Sequence, residues 1–403
     1  METRSPDTVR RVAFITPEFV TEPEASGGVA SYVLKMALAL SANGVDVEVF
    51  VPSSASELTD THGIRVERVR SERSIIARAL NRMLVLVCGP RGQAVLEALT
   101  ARRLARAVER RHSEEPFDVI QSSNHQLTGA YVRHAPDRVH VTRISTSRRL
   151  YDRGSGWRAE LWARLLEWAD VRALRRADLV YAPSAFLATH FREAHGLDVA
   201  VIRPPAELGE QPVSHATTSV PARYLVHFGA LSARKGTDLV AGALVEAWRV
   251  EPELRMVWIG PIAPDLLARF RRDWGERSTQ VSVLGRQEKA TLYGLVSGAI
   301  ASVLPSTVDN LPNTVIESLI LGVPVIGSDG ASIDELIDDG VSGRLIPIGD
   351  ATALSDALVE AWRGHADWVG DAFRPPAILA EMRPDRAVQA FLAFVNTTPP
   401  QRT

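Results

Sequence analysis

The stretch PSTVDNLPNTVIESLILGVPVIGSD, residues 305–329, reads as a loop, a helix and a strand following directly on a strand that ends near Leu304. Pro305 to Pro312 gathers turn-forming residues. Pro312 and Asn313 suit a helix start, and helical spacing runs from Asn313 to Leu321. Val323 to Ile326 is then a short apolar run, the pattern of a strand covered on both faces. Strand, helix and strand in this order imply parallel neighbours joined by a crossover.

The same alternation extends in both directions. Strand signals lie at 224–228, 254–259, 281–284, 301–304, 323–326 and 344–348, with helical segments at about 238–250, 264–274, 289–298, 313–321, 333–338 and 352–364. Six strands alternating with helices predict a doubly wound α/β sheet. The first half repeats the pattern, with strands at 11–16, 45–51, 117–121, 139–144, 177–182 and 199–203 and helices at 29–42, 93–111 and a long one ending near Arg176. Between the halves, residues 204–222 lose periodicity and gather Pro, Ser and Thr, as a linker does. The expected domains are therefore 1–206, a linker at 207–222, 223–378, and a C-terminal helix and tail at 379–403 that crosses back to the first domain. Two such sheets are expected to face a cleft with their carboxyl ends, where open α/β sheets bind ligands.

Composition removes other classes. The 403 residues are 45% apolar and 23% charged, with a formal net charge of -2, so there is no basic footprint for nucleic acid. A single cysteine, Cys88, excludes an intrachain disulfide framework. No apolar run approaches the roughly 18 residues of a membrane span. The polar N-terminus leads straight into a strand-like VAFIT, and a cytoplasmic location is expected. Arg65 to Arg82, with Ile75, Ile76, Leu80 and Leu84, is basic and partly amphipathic. It reads first as a surface helix and second as a peripheral membrane contact.

Lys35, Lys235 and Lys289 are the only lysines among 46 Lys and Arg, so each stands out against its own background. Lys235 follows Arg234 in HFGALSARKG, residues 227–236, a strand, turn and helix start that brings two cations to a sheet's carboxyl end. That arrangement suits a diphosphate, and equally an ordinary solvated turn. Asp309 lies in the next such loop. Glu317 lies one turn into the following helix, where a carboxylate can accept from the two hydroxyls of a ribose. The amides around Asn313 can cradle phosphate. Gly27 and Gly28 precede the first helix. By themselves they suit either a close ligand approach or a surface loop.

Residues 305–329 resemble the signature of the large retaining glycosyltransferase family 4, of GT-B architecture. That family carries two acidic residues with seven between them, the spacing of Asp309 and Glu317. FGALSARKG resembles its phosphate-binding turn, VSVLGRQEKATLYGLVSGAIASVLPS (281–306) its nucleoside-binding region, and DELIDDGVSGRLIP (334–347) its closing strand. The resemblance implies transfer of a sugar from a nucleotide diphosphate to an acceptor hydroxyl, with retention and without a metal. No Asp-x-Asp motif occurs, and no cofactor is expected beyond the nucleotide-sugar co-substrate. Lys235, Asp309 and Glu317 become the catalytic candidates. Donor contacts fall to Gly28, Gly229, Arg234, Lys235 and Arg286, and to Asn310, Leu311, Asn313, Thr314 and Glu317. A small-molecule or glycan acceptor falls to Gly27, Ser123, Asn124, Ser145, Arg148 and Arg149.

The sequence departs from the family pattern in places. The first acidic position is usually Glu, and here it is the shorter Asp309. Ala230 stands where the phosphate turn usually has Arg. Gln121 and Ser123 occupy a strand end where a histidine is common. The crowd of Arg143, Arg148, Arg149 and Arg153 suggests an anionic acceptor site or a lid, or simply solvated arginines. Two other readings remain open: a sugar phosphorylase on the same fold, and a GT-B module that binds a nucleotide or partner without turnover.

Overall fold

The computed structural model describes residues 9–22, 28–70, 90–152, 157–208, 220–364 and 367–397. The chain forms two compact units, Met1–Pro205 with Met382–Thr403, and Ala206–Glu381. In the first unit the elements run β1 (Arg11–Ile15), α1 (Gly28–Ala42), β2 (Asp46–Ser53), β3 (Glu57–Thr61), β4 (Ile64–Arg70), α2 (Pro90–Glu114), β5 (Val119–Ser123) and β6 (Val139–Arg143). Then come α3 (Arg148–Tyr151), α4 (Trp157–Leu174), β7 (Leu179–Ala182), α5 (Ala185–His195) and β8 (Ala200–Val201). They build one eight-stranded sheet in the order β3-β4-β2-β1-β5-β6-β7-β8. Strand β1 is buried from Val12 to Ile15, as a central parallel strand with helices on both faces must be.

All pairings in this sheet are parallel except β3 with β4. That hairpin corrects the reading of Arg65–Arg82 as a surface helix: Arg65 to Arg70 are strand residues paired to β2 and β3. The turn is His62-Gly63, with φ of 55° and 78°. Two successive left-handed residues are what a two-residue hairpin loop requires. Residues 71–82, which include the rest of that stretch, lie outside the described residues.

The second unit runs β9 (Leu225–Phe228), α6 (Thr237–Val250), β10 (Met256–Ile259), α7 (Pro264–Trp274), β11 (Val281–Leu284), α8 (Lys289–Ser297) and β12 (Ser302–Leu304). It continues with α9 (Asn313–Ile320), β13 (Val325–Asp329), β14 (Gly343–Pro347), α10 (Ala351–Arg363) and α11 (Ile378–Glu381). Its sheet order is β11-β10-β9-β12-β13-β14, all parallel. Strands β9 and β12 are therefore the adjacent pair at which the winding reverses. The helix expected at 333–338 is instead a series of turns. Gly330, Ala331 and Ser332 all have left-handed φ (123°, 54° and 61°), which turns the chain away from an α-helical path.

The last helix, α12 (Pro384–Asn396), returns to the first unit. Its Val388, Phe391 and Val395 are buried in one cluster with Tyr32, Val33, Met36 and Leu40 of α1 and Tyr181 of β7. Its apolar stripe thus completes the first unit's core.

Candidate active site

In the second unit the candidate residues other than Arg286 lie on the segments that follow β9 and β12. After β9 the chain turns at Gly229 and makes one short helical turn, Ala233–Lys235. Gly236 ends that turn with φ 77°, and a Cβ there would collide with the Pro305 carbonyl. Only glycine lets the two loops meet this closely. The Thr307 amide donates to the Arg234 carbonyl at 2.9 Å, and the Arg234 guanidinium reaches the Val308 carbonyl at 3.5 Å.

This meeting of loops places Lys235 Nζ 2.5 Å from Asp309 Oδ2. Both side chains are largely buried, at 19% and 9% exposure. The other carboxylate oxygen, Oδ1, accepts from the Asn310 amide at 3.1 Å. His227 is fully buried in β9. Its Nδ1–H donates to the Val303 carbonyl at 2.6 Å, which leaves Nε2 to accept from Thr237 Oγ1 at 3.0 Å. Burial lowers this imidazole to about 4, and the Lys235 charge pushes the same way, so it stays neutral and holds β9 to β12.

Leu311 has φ 48°, an uncommon value for a leucine, and its amide donates to Ser332 Oγ at 2.7 Å. That kink sets Pro312 at the head of α9, where its carbonyl accepts from Val315 and Ile316. The first amides of the helix, those of Asn313 and Thr314, precede its first internal bond and carry the positive end of its dipole. Asn313 is exposed and Thr314 half-buried. One turn on, Glu317 Oε1 accepts from Tyr293 Oη at 3.2 Å. Burial first, then the Glu317 charge, pushes the Tyr293 hydroxyl upward, so it remains a donor. Arg286 is exposed two residues past β11, and Gly229 lies against the Thr314 methyl.

In the first unit the candidates occupy the ends of β5 and β6. Ser123 Oγ donates to Ser145 Oγ at 2.9 Å. Asn124 bridges the two strand ends: its Nδ2 donates to the Thr146 carbonyl and its Oδ1 accepts from the Ser145 amide. Gly28 is exposed at the start of α1, and Glu18 already accepts from the Ala30 amide of that turn at 3.4 Å. Gly27 and Arg153 lie outside the described residues.

The structure does not bring the remaining arginines of the 143–153 stretch to one face. Arg143 lies over the Tyr32 ring, 4.0 Å from its centroid, and donates to Ser145 Oγ. Arg148 is held between Glu97 at 2.5 Å and Asp170 at 3.2 Å. Burial pushes the Asp170 carboxyl up to about 7 against the pull of Arg148. Arg149 alone is exposed.

Three residues of the second-unit site were not singled out from sequence. Tyr293 sits within the quoted 281–306 stretch but has no feature separating it from a core tyrosine. Ser332 and His227 act through backbone partners that only the fold supplies. The described residues also gather Glu167, His190 and His195 within ligand distance of one another. Their separation in the sequence hides this.

Comparison with known proteins identifies the two units. Residues 222–363 match the family model Glycosyl transferases group 1, and residues 27–206 match the Glycosyl transferase 4-like domain. A lipopolysaccharide core biosynthesis mannosyltransferase of Rhizobium leguminosarum bv. viciae is 29% identical over 46% of this chain, which spans about half (54%) of that enzyme's length. A D-inositol 3-phosphate glycosyltransferase of Mycolicibacterium smegmatis is 24% identical over 95% of the chain and 88% of its own. The solved structure of HepE from Anabaena in complex with UDP superposes with a TM-score of 0.62, at 17% identity and 97% of each chain. The two sheets are those of a GT-B glycosyltransferase. Within that class, the chain belongs to glycosyltransferase family 4.

Among the described residues, no helix is long and apolar enough to cross a membrane.

Proposed function

We propose that the protein moves a sugar from a nucleoside-diphosphate sugar to an acceptor hydroxyl, with retention of configuration and without a metal at the diphosphate. The second unit takes the nucleotide and the first takes the acceptor. The observation that carries this is the Lys235–Asp309 pair where the sheet's winding reverses, with the head of α9 and Glu317 adjoining it in sequence.

The chemistry needs stabilisation where charge develops. As the bond from sugar C1 to the β-phosphate oxygen breaks, negative charge grows on the phosphate. Lys235, Arg234 and the leading amides of α9 supply fixed positive ends there. Glu317, steadied by Tyr293, accepts from the ribose hydroxyls. Asp309 contacts the donor sugar and gives up part of its hold on Lys235 when the diphosphate arrives. The acceptor oxygen bonds to C1 on the face the phosphate leaves, and its proton passes to the departing phosphate oxygen. No covalent carboxylate intermediate is needed.

The HepE–UDP complex makes uridine the first base to try. The test is to incubate the protein with UDP-, GDP-, dTDP- and ADP-sugars and simple acceptors, follow nucleotide release, and read the product's anomeric coupling by proton NMR. A product with the donor's configuration supports the reading. An inverted product, or phosphate serving in place of every nucleotide, refutes it.

A further inference from the structure

The first unit carries a group of ligand-type side chains that the transfer reaction does not use. Glu167 of α4 is 1% exposed. Its Oε1 lies 2.9 Å from His195 Nε2 and 3.6 Å from His190 Nε2, both on α5. The three ligand atoms all lie within 4.8 Å of one another. In a tetrahedral zinc site with bonds of about 2.0–2.1 Å, neighbouring ligand atoms stand roughly 3.3–3.4 Å apart. The two separations from Oε1 lie on either side of that value, and the two imidazole nitrogens are within 4.8 Å of each other.

The surroundings fit a metal centre in two further ways. The other carboxylate oxygen, Oε2, is fixed by the Ser147 hydroxyl at 2.5 Å and the Arg149 amide at 3.0 Å, which orients Oε1 toward the imidazoles. Such support from outside the ligand set is typical of metal sites. Ser147 Oγ also stands 3.2 Å from His190 Nε2, beside the position a fourth ligand takes. The imidazoles are 18% and 20% exposed, which leaves an entry path for an ion to a carboxylate that is itself buried.

We propose that Glu167, His190 and His195 form a binding site for a divalent transition ion, zinc by its nitrogen and oxygen donors, with water completing four-coordination. The ion ties α4 and α5 to the segment after β6 that carries Ser145, Ser147 and Arg149. It is a structural tie, apart from the donor site in the other unit.

The test uses the full chain, stripped by chelator dialysis and titrated with Zn²⁺ by calorimetry and with Co²⁺ by visible absorption. The site predicts one ion per chain and the intense visible bands of four-coordinate Co²⁺. It also predicts a rise in melting temperature with Zn²⁺. His190→Ala and His195→Gln should each weaken Zn²⁺ at least about tenfold, the lower end of what losing even a supporting group costs. The glutamine keeps a hydrogen-bond donor near Glu167, so the fold has a route to survive. His62→Ala, at an exposed turn, should bind as the parent does. If the parent takes up no Zn²⁺, or the variants match it, the group is a hydrogen-bond clamp only and the proposal fails. None of these readouts depends on glycosyl transfer.

Discussion

Lys235 and Asp309, 74 residues apart, meet at 2.5 Å because β9 and β12 are neighbours across the point where the second sheet reverses its winding. The cation assigned to the diphosphate is held by the carboxylate assigned to the sugar. Binding and turnover should therefore separate at this pair. Asp309→Asn removes the partner that competes with phosphate for Lys235. Nucleoside diphosphate affinity should hold or tighten while kcat falls about 10- to 150-fold, the worth of one charge-assisted contact at roughly 1.5–3 kcal/mol. Calorimetry beside steady-state kinetics checks this; a parallel fall in both would make Asp309 the residue that positions Lys235 for the phosphate instead.

Glu317 and Tyr293 make a second separable pair. Glu317→Gln should weaken a ribonucleotide more than an analogue lacking the ribose hydroxyls. Tyr293→Phe removes one hydrogen bond to Glu317 and should cost about 2- to 12-fold in nucleotide affinity, equivalent to roughly 0.5–1.5 kcal/mol. Equal losses for both ligands with Glu317→Gln would remove ribose from its role.

The arginines of the first unit should part ways. Arg148→Ala leaves Glu97 and Asp170 without their shared cation and should lower the melting temperature, because a largely buried carboxylate loses its partner. Arg149→Ala should leave stability near that of the parent. If the acceptor is anionic, its KM should rise with Arg149→Ala in a salt-dependent way while nucleotide affinity stays constant. A fall in melting temperature with Arg149 and not Arg148 would reverse the assignment.

His227 predicts a pH dependence. Its folded pKa of about 4 lies below the ordinary 6.5, so the unfolded chain takes up the proton first as pH falls. Its contribution to stability is therefore full above about 6.5 and is lost between there and about 4. Over that window the loss approaches roughly 3 kcal/mol. His227→Gln should flatten the denaturant midpoint against pH in this window relative to the parent. Parallel curves would show that His227 does not carry this acid sensitivity.

The second unit was legible because its strands are continuous apolar runs and its loops hold chemically distinctive residues. Asp309 and a rare lysine stand in loops that the fold brings together, and Glu317 lies one turn into the helix that follows. The hairpin β3–β4 was harder. Its strands are polar and half-exposed, and the charges of IRVERVR mask an alternation that His62-Gly63 announces. Residues 333–338 fit one helical turn locally, but three left-handed residues ahead of them bend the chain elsewhere. Arginine counts misled most: Arg143 and Arg148 are near in sequence, yet one covers Tyr32 and the other serves two buried carboxylates. Neighbours along a chain predict a shared face only within one regular element. Glu167 and the two histidines show the converse, a site assembled from separate helices.

Isothermal titration of UDP, GDP, dTDP and ADP into the parent and Lys235→Ala decides whether Lys235 receives a nucleoside diphosphate. In chelator-treated buffer, one of the four should bind the parent, unaffected by added Mg²⁺ or Mn²⁺, and bind Lys235→Ala about 10- to 150-fold more weakly. Equal affinity in parent and variant, or binding that appears only when Mg²⁺ or Mn²⁺ is restored, would contradict it.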